Sequence, residues 1–140
     1  MVEKAEDKHG CTRVVGAAIM RRGRILCAQR GPGRSLEGYW EFPGGKIERG
    51  ETPRQALERE ISEELRCRVE VHERVCTSRY SYGFGRIELS TFVCHLIGGD
   101  PHLTEHEQIR WTEPEDLNGL DWAPVDRPAA AILASRTQEG

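Results

Sequence analysis

Glu58, Glu60, Glu63 and Glu64 stand together in the stretch EREISEE. On a helix, residues three and four apart are surface neighbours, and like charges there destabilise by a few tenths of a kcal/mol. A bound cation would convert that repulsion into coordination. Mg²⁺ and similar hard ions take oxygen ligands and are held by a few carboxylates together with substrate phosphates. For an isolated pair of glutamates, a solvated acidic face is the competing reading. Just upstream, WEFPGGKIERGE contains Gly44 and Gly45, expected to form a turn whose backbone can approach a ligand closely.

These residues need a frame to hold them. TPRQALEREISEEL predicts a helix, with Thr52 as N-cap, Pro53 in the first turn, and Leu57, Ile61 and Leu65 repeating every four residues. At 100° per residue the three apolar side chains form one stripe. Glu60, Glu63 and Glu64 fall on the adjacent stripe, where they would line a groove. TRVVGAAIM and RILCAQR read as two strands joined by a tight turn at Arg22-Gly23, and GPGRSLEG as a loop. RVEVHERV, RIELSTFVCHL and the short IRW read as further strands, with IGGDPHLTEHEQ as a loop. PEDL suggests one helical turn, and DRPAAAILASR a terminal helix with Asp126 as N-cap. Several strands around two helices predict an α/β (α+β) sandwich.

The 140 residues suffice for one domain with a core, expected over residues 13–137, with residues 1–12 as a tail. A net charge of -3 supplies no basic field, so no nucleic acid polymer is expected as partner, and a phosphate ligand must be held by local arginines or by metal. The five cysteines are odd in number and lack a CxxC spacing, which argues against a zinc site or a disulfide framework and for the reducing cytoplasm. No apolar run approaches the roughly 18 residues of a membrane span, so no membrane partner is expected either. The charged start MVEKAEDKHG does not read as a signal peptide.

Gly45, Glu51, Arg59, Glu60, Ile61, Glu63 and Glu64 fit the spacing G-x5-E-x7-R-E-U-x-E-E-x-G-U, where U is a bulky aliphatic residue. Six fixed polar or glycine positions in one register should occur by chance on the order of once per 10⁵ to 10⁶ registers. The stretch resembles the Nudix box, and WEFPGGKIE followed by GETP resembles the MutT-like branch of that family. The similarity extends from about Val14 to Leu133. It implies a Nudix fold, with a mixed β-sheet sandwiched between helices and the box as a loop-helix-loop. It also implies Mg²⁺-dependent hydrolysis of a nucleoside diphosphate linked to another group, with Mn²⁺ able to substitute.

The resemblance assigns expected roles residue by residue. Glu60 and Glu64 would be the principal metal ligands, assisted by Glu63, with Gly44 offering its carbonyl oxygen. Arg59 would hold Glu51 in place, Lys46 could reach a phosphate, and Glu105 would bring a further carboxylate from a loop. Glu60 would orient or deprotonate the attacking water. By analogy with the branch, a nucleoside triphosphate would yield nucleoside monophosphate and pyrophosphate. Two positions depart from the box. Arg66 replaces its glycine, at a cost of about 1 kcal/mol if the residue takes the left-handed conformation of a helix C-cap. Cys67 replaces an aliphatic residue and is an acceptable small hydrophobe.

Base choice must come from outside the box. WAPVDRPAAAIL resembles the segment in which such enzymes read the base, with Asp126 at the reading position. An ionised carboxylate only accepts hydrogen bonds and suits the amino group of cytosine, which favours CTP, dCTP and 5-methyl-dCTP. A protonated Asp126 would also serve 8-oxo-dGTP. Arg30 and Arg86 match arginines that the branch places around the nucleotide, and Phe42, Tyr39, Tyr82 and Phe84 could stack on a base or belong to the core. A monomer or small homo-oligomer is expected. The reading from another class is a non-catalytic nucleotide sensor, whose acidic box would be expected to have decayed.

Overall fold

The computed structural model describes residues 10–136. Residues 1–9 of the expected tail, and residues 137–140, lie outside the described residues. Cys11 is already buried and Thr12 opens the first strand, so packed structure begins inside the segment expected as tail.

Strand β1 (Thr12–Arg21) has five consecutive buried residues, Val15 to Ile19. A strand buried on both faces must sit inside a sheet covered on both sides. It pairs in parallel with β6 (Gly85–Gly98) from Thr12 to Met20. Its other edge is shared. Strand β4 (Gly44–Lys46) takes Val14, Val15 and Gly16, while β2 (Arg24–Arg30) takes only Met20 and Arg21. Arg22 and Gly23 both have positive φ, as a two-residue hairpin turn with the right twist requires.

Beyond that turn β1 and β2 diverge, and the chain segment Trp40–Lys46 enters the gap. Strand β3 (Trp40–Glu41) pairs with β2 and β4 pairs with β1. Strand β7 (His106–Thr112) covers the outer edge of β2, and β5 (Arg68–Tyr82) covers the outer edge of β6. The result is one mixed seven-stranded sheet with a split in its middle.

Helix α1 (Pro53–Leu65) covers one face. Ala56, Leu57, Ile61 and Leu65 pack on Val15, Ala17, Ile19, Leu26, Val69, Val71 and Cys94. Helix α2 (Arg127–Arg136) and the 3₁₀ turn Pro114–Gly119 cover the other, where Ala129, Ala130, Leu133, Ala134 and Leu117 meet Ala18, Ile25, Cys27, Trp40, Phe42 and Val93. Ala17 and Ile19 face α1 while Ala18 faces α2, which is the strand period of two. The five cysteines are free, and four of them are buried. Among the described residues no helix is long and apolar enough to cross a membrane.

Several expected boundaries shift. Strand β5 extends to Tyr82 because β6 follows it through register shifts at Arg68/Val69, Val71/Arg74 and Arg74/Cys76. The loop expected over residues 97–108 shrinks to 99–105, since β6 and β7 both run into it. Gly44 and Gly45 form a strand instead of a turn. Their small size is needed for contact: a Cβ on Gly44 would sit 1.9 Å from the Val15 carbonyl oxygen. Asp126 does not cap α2. It already lies in a 3₁₀ turn (Pro124–Asp126) that runs straight into the helix, and its carboxyl accepts from Phe42 N–H at 3.1 Å.

Helix α1 begins as read. The Thr52 hydroxyl accepts from Gln55 N–H, and the Gln55 side chain accepts from Thr52 N–H, a reciprocal capping box. It ends at Arg66, with φ 54° and ψ 38°, whose N–H donates to Ser62 O at 3.1 Å. Arg66 therefore adopts the left-handed conformation that glycine accepts without steric cost. Replacing Arg66 with Gly should stabilise the protein by about 1 kcal/mol in urea unfolding. Unchanged or lowered stability would mean that the arginine side chain compensates.

Candidate active site

Arg59, at the middle of α1, ties the helix to the segment before it. Its guanidinium donates to both oxygens of Glu51, at 2.7 and 2.9 Å, and to the Lys46 carbonyl at 3.1 Å. The same group reaches Glu60 Oε1 at 2.8 Å and Glu63 Oε2 at 3.3 Å. The Arg59 hydrogen bonds hold the Glu51 carboxyl below its ordinary value. Glu51 Oε1 also accepts from Glu48 N–H at 2.8 Å, which fixes the bend between β4 and α1.

Glu60 lies directly against Gly45, where a Cβ would come within 2.3 Å of its carboxylate. Any larger residue would make the Glu60 carboxylate move from its present position. Burial raises the Glu60 pKa; Arg59 opposes this, while Glu63 and Glu48 add to it. One turn further on, Glu64 is pushed up to about 8, first by burial and then by the carboxylates of Glu41, Glu60 and Glu105, with Arg34 opposing. Its Oε2 is buried without a hydrogen-bond partner. Glu63 stays largely exposed at the rim. The loop carrying Glu105 is pinned to the end of α1, since His102 N–H donates to Leu65 O at 2.8 Å and the Thr104 hydroxyl donates to Glu64 O. Glu105 is itself exposed, yet close enough to act on Glu64.

From Glu60 and Glu64 a cavity of about 580 Å³ runs through the split in the sheet to Asp126. Asp126 is 5% exposed, and its carboxyl is pushed well above the usual carboxylate range by burial first and then by Glu41. The Phe42 N–H and Arg30 oppose that shift only in part. Burial thus shifts Asp126 toward the neutral acid, the form that also serves 8-oxo-dGTP, and away from the ionised form expected to favour cytosine. Gly44, Lys46, Arg30 and Phe42 also line the cavity. Phe42 is buried and its ring stacks on Trp122 at 4.5 Å, so it serves the core and the cavity wall together.

Arg86 is not among the residues that line this cavity, though Phe84 and Ile87 on either side of it are. It pairs with Ser81 near the tip of the β5–β6 hairpin, and the hairpin offers Tyr82, Phe84, Ile87 and Leu89 to the cavity instead. Tyr82 is tied in by its hydroxyl, which accepts from Val125 N–H at 3.0 Å. Sequence reasoning passed over Glu41 and His106. Glu41 bonds Arg30 at 2.8 Å and His106 at 2.9 Å inside the cavity wall. Its one local signal is a charged residue between the aromatics Trp40 and Phe42; His106 gave none.

Among the described residues, no three acidic, histidine or cysteine side chains converge as a ready-made metal cluster. The donors nonetheless suit a hard divalent cation. Glu60 and Glu64 supply only oxygen, Glu64 Oε2 is buried and unpartnered, and the missing Cβ of Gly45 leaves room at the Glu60 carboxylate. With no cation, Glu64 favours its proton in the folded state. This contribution to stability is full below about pH 4.5, the ordinary value, and is lost as the pH rises through about 8. Glu64→Gln should therefore raise the melting temperature of EDTA-treated protein at pH 8 by a few degrees and flatten its decline between pH 5 and 8. Added Mg²⁺ should stabilise the wild type and not the variant. A variant with the wild-type pH profile would refute this role for Glu64.

The chain is similar to known proteins over nearly its whole length. The chain is 40% identical over 130 residues to a Mycobacterium tuberculosis protein named "Putative 8-oxo-dGTP diphosphatase 2", covering 91% of this chain and 90% of that one. It is 38% identical to the CTP pyrophosphohydrolase of Escherichia coli K12, covering 88% and 92%. The solution structure of the E. coli ORF135 protein superposes with a TM-score of 0.80 at 34% identity, covering 93% of each chain. A family model described as the NUDIX domain matches residues 11–132, nearly the whole described chain, and includes the Arg59 hub, both cavity glutamates and Asp126. The protein thus belongs to the Nudix family of hydrolases, enzymes that act on nucleotides with the help of a divalent cation.

Proposed function

We propose that this protein is a Mg²⁺-dependent nucleoside triphosphate pyrophosphohydrolase that takes cytidine nucleotides (CTP, dCTP and 5-methyl-dCTP) and releases nucleoside monophosphate and pyrophosphate. The observation that carries this reading is the cavity itself, which Asp126 lines together with the carboxylates of Glu60 and Glu64. Its volume of about 580 Å³ suits a nucleotide.

Each residue then has a task. Glu60 and Glu64 hold the cation with the Gly44 carbonyl, Glu105 contributes from its loop, and Glu63 assists from the rim. When bound, Mg²⁺ (or Mn²⁺ in its place) neutralises phosphate oxygens and acidifies water. Arg59 grips Glu60 Oε1, which fixes the plane of that carboxylate and leaves Oε2 to take the proton of the attacking water. Arg59 and Glu51 act through their mutual bonds and do not touch substrate. Lys46, at the cavity mouth, neutralises the polyphosphate, while Arg30 shapes the wall beside the nucleotide. Arg86, between the cavity-lining Phe84 and Ile87, would meet the nucleotide from the β5–β6 hairpin. The free thiols of the buried cysteines fit the cytoplasm.

At the base, neutral Asp126 can donate its O–H and accept through its carbonyl at once. Cytosine offers the complement, with N3 accepting and the amino group donating. A second reading is 8-oxo-dGTP, favoured by the same proton. The O6 and N7–H edge of 8-oxoguanine presents an acceptor beside a donor, whereas ordinary guanine shows two acceptors there. The relatives named above divide between the same two substrates.

Pyrophosphate release measured across CTP, dCTP, 5-methyl-dCTP, 8-oxo-dGTP and the ordinary nucleotides separates the readings. Highest kcat/KM for the cytosine set is expected, and highest kcat/KM for 8-oxo-dGTP would replace it with the second. No hydrolysis at all would point to a nucleotide sensor or a non-triphosphate substrate. Glu60→Gln should lower kcat about 10²–10³-fold with unchanged circular dichroism. Near wild-type turnover would remove Glu60 from the mechanism. Asp126→Asn, which also donates and accepts, should keep kcat/KM within about tenfold, whereas Asp126→Ala should lose about 10–100-fold. Loss of cytosine turnover in Asp126→Asn equal to that in Asp126→Ala would mean that the ionised acid reads the base.

A further inference from the structure

Glu41 lines the cavity, yet the reading above gives it no task. Its Oε1 accepts from Arg30 at 2.8 Å and its Oε2 meets His106 Nε2 at 2.9 Å. Burial alone would raise its pKa, but His106 and Arg30 outweigh burial and hold the carboxyl below its ordinary value. Glu41 is therefore an acceptor only. A carboxylate has about four lone-pair sites, so two remain once both anchors are bound. The Glu41 side chain keeps 17% exposure, whereas His106 keeps 4%, so the free acceptor capacity faces the cavity. The other ring nitrogen of His106 is buried without a hydrogen-bond partner, so the ring is held through its bond to Glu41.

Position gives this acceptor its meaning. Glu41 precedes Phe42, whose N–H is bonded by Asp126, and four residues after Glu41 comes Gly45, which lies against Glu60. Glu41 lines the same cavity as Asp126 and Glu64, on the segment that runs from the Phe42 contact with Asp126 to the Gly45 contact with Glu60. In every nucleotide the sugar joins base to phosphate. A base at Asp126 and a polyphosphate at Glu60 and Glu64 leave the sugar beside Glu41.

We infer that Glu41, anchored by Arg30 and His106, determines sugar specificity by accepting a hydrogen bond from a ribose or deoxyribose hydroxyl of the nucleotide. This rests on the nucleotide reading of the cavity proposed above. His106 acts as a positioning residue, since it reaches the sugar only through Glu41.

The test compares kcat/KM for CTP, dCTP and 2′,3′-dideoxy-CTP, with the 8-oxoguanine series in parallel. Binding of the corresponding monophosphates to metal-free protein is followed by NMR. Wild-type protein should handle the dideoxy compound about 10–100-fold less well than the deoxy compound, the worth of a hydrogen bond to a charged group. In Glu41→Ala that ratio should fall close to one. His106→Phe should shrink it, and His106→Gln, which can still donate to Glu41, should restore most of it. A wild type indifferent to the sugar hydroxyls overturns the inference without any variant, so misfolding of Glu41→Ala leaves it decidable. An unchanged ratio in folded Glu41→Ala also overturns it. Monophosphate discrimination without turnover of any triphosphate would instead sink the hydrolase reading and leave the role of Glu41 standing.

Discussion

Carboxylates buried side by side are the constraint to which the rest of this structure responds. Asp126, Glu41, Glu64 and Glu60 line one cavity, and a charged group taken out of water carries a penalty of several kcal/mol unless it is paired or protonated. Each is handled differently. Glu60 has Arg59, Glu41 has Arg30 and His106, and Asp126 has a backbone donor while burial shifts it toward the neutral acid. Glu64 is left with a buried oxygen that nothing satisfies. That unbalanced position is where a cation has most to gain, because the free protein holds the carboxyl in its least comfortable state.

The split in the sheet makes such a row possible. Strands β1 and β2 touch only at their turn, and the segment Trp40–Lys46 bonds to both as it crosses the gap. It presents Glu41 to the cavity and Phe42 to the core beneath. The glycines at its end have no special dihedral requirement, since neither has positive φ. Gly44 is needed because the Val15 backbone occupies the space of a side chain, and Gly45 lets the Glu60 carboxylate lie where it does. Close approach in this segment thus joins strand, helix and charged site in one contact.

Much of the frame was legible locally. The Thr52 cap, the Leu57–Ile61–Leu65 stripe and the Arg22-Gly23 turn are short-range features, and each appears as the residues suggest. The left-handed Arg66 could be anticipated because a helix end demands that conformation whatever residue stands there. The shift of Gly44 and Gly45 from turn to strand was not legible, because their partner strand lies some thirty residues earlier in the chain. The change of Asp126 from helix cap to acceptor of Phe42 N–H was hidden for the same reason, its donor being 84 residues away.

The sequence alone determined the chemistry of the helix: which glutamates share a stripe, which arginine can reach them, and which small residues must flank them. Those relations depend on separations within about twenty residues and on helical geometry, so they survive without knowledge of the fold. The tertiary structure alone decided where that chemistry points. It brought Glu41, His106 and Asp126 into the cavity of Glu60 and Glu64, and it raised the pKa of both Asp126 and Glu64 by burying each of them and setting Glu41 against each. Burial and the proximity of like charges belong to the assembled chain. No local pattern of residues encodes the dielectric around a carboxyl group, and that environment decides whether it accepts a hydrogen bond, donates one, or attracts a cation.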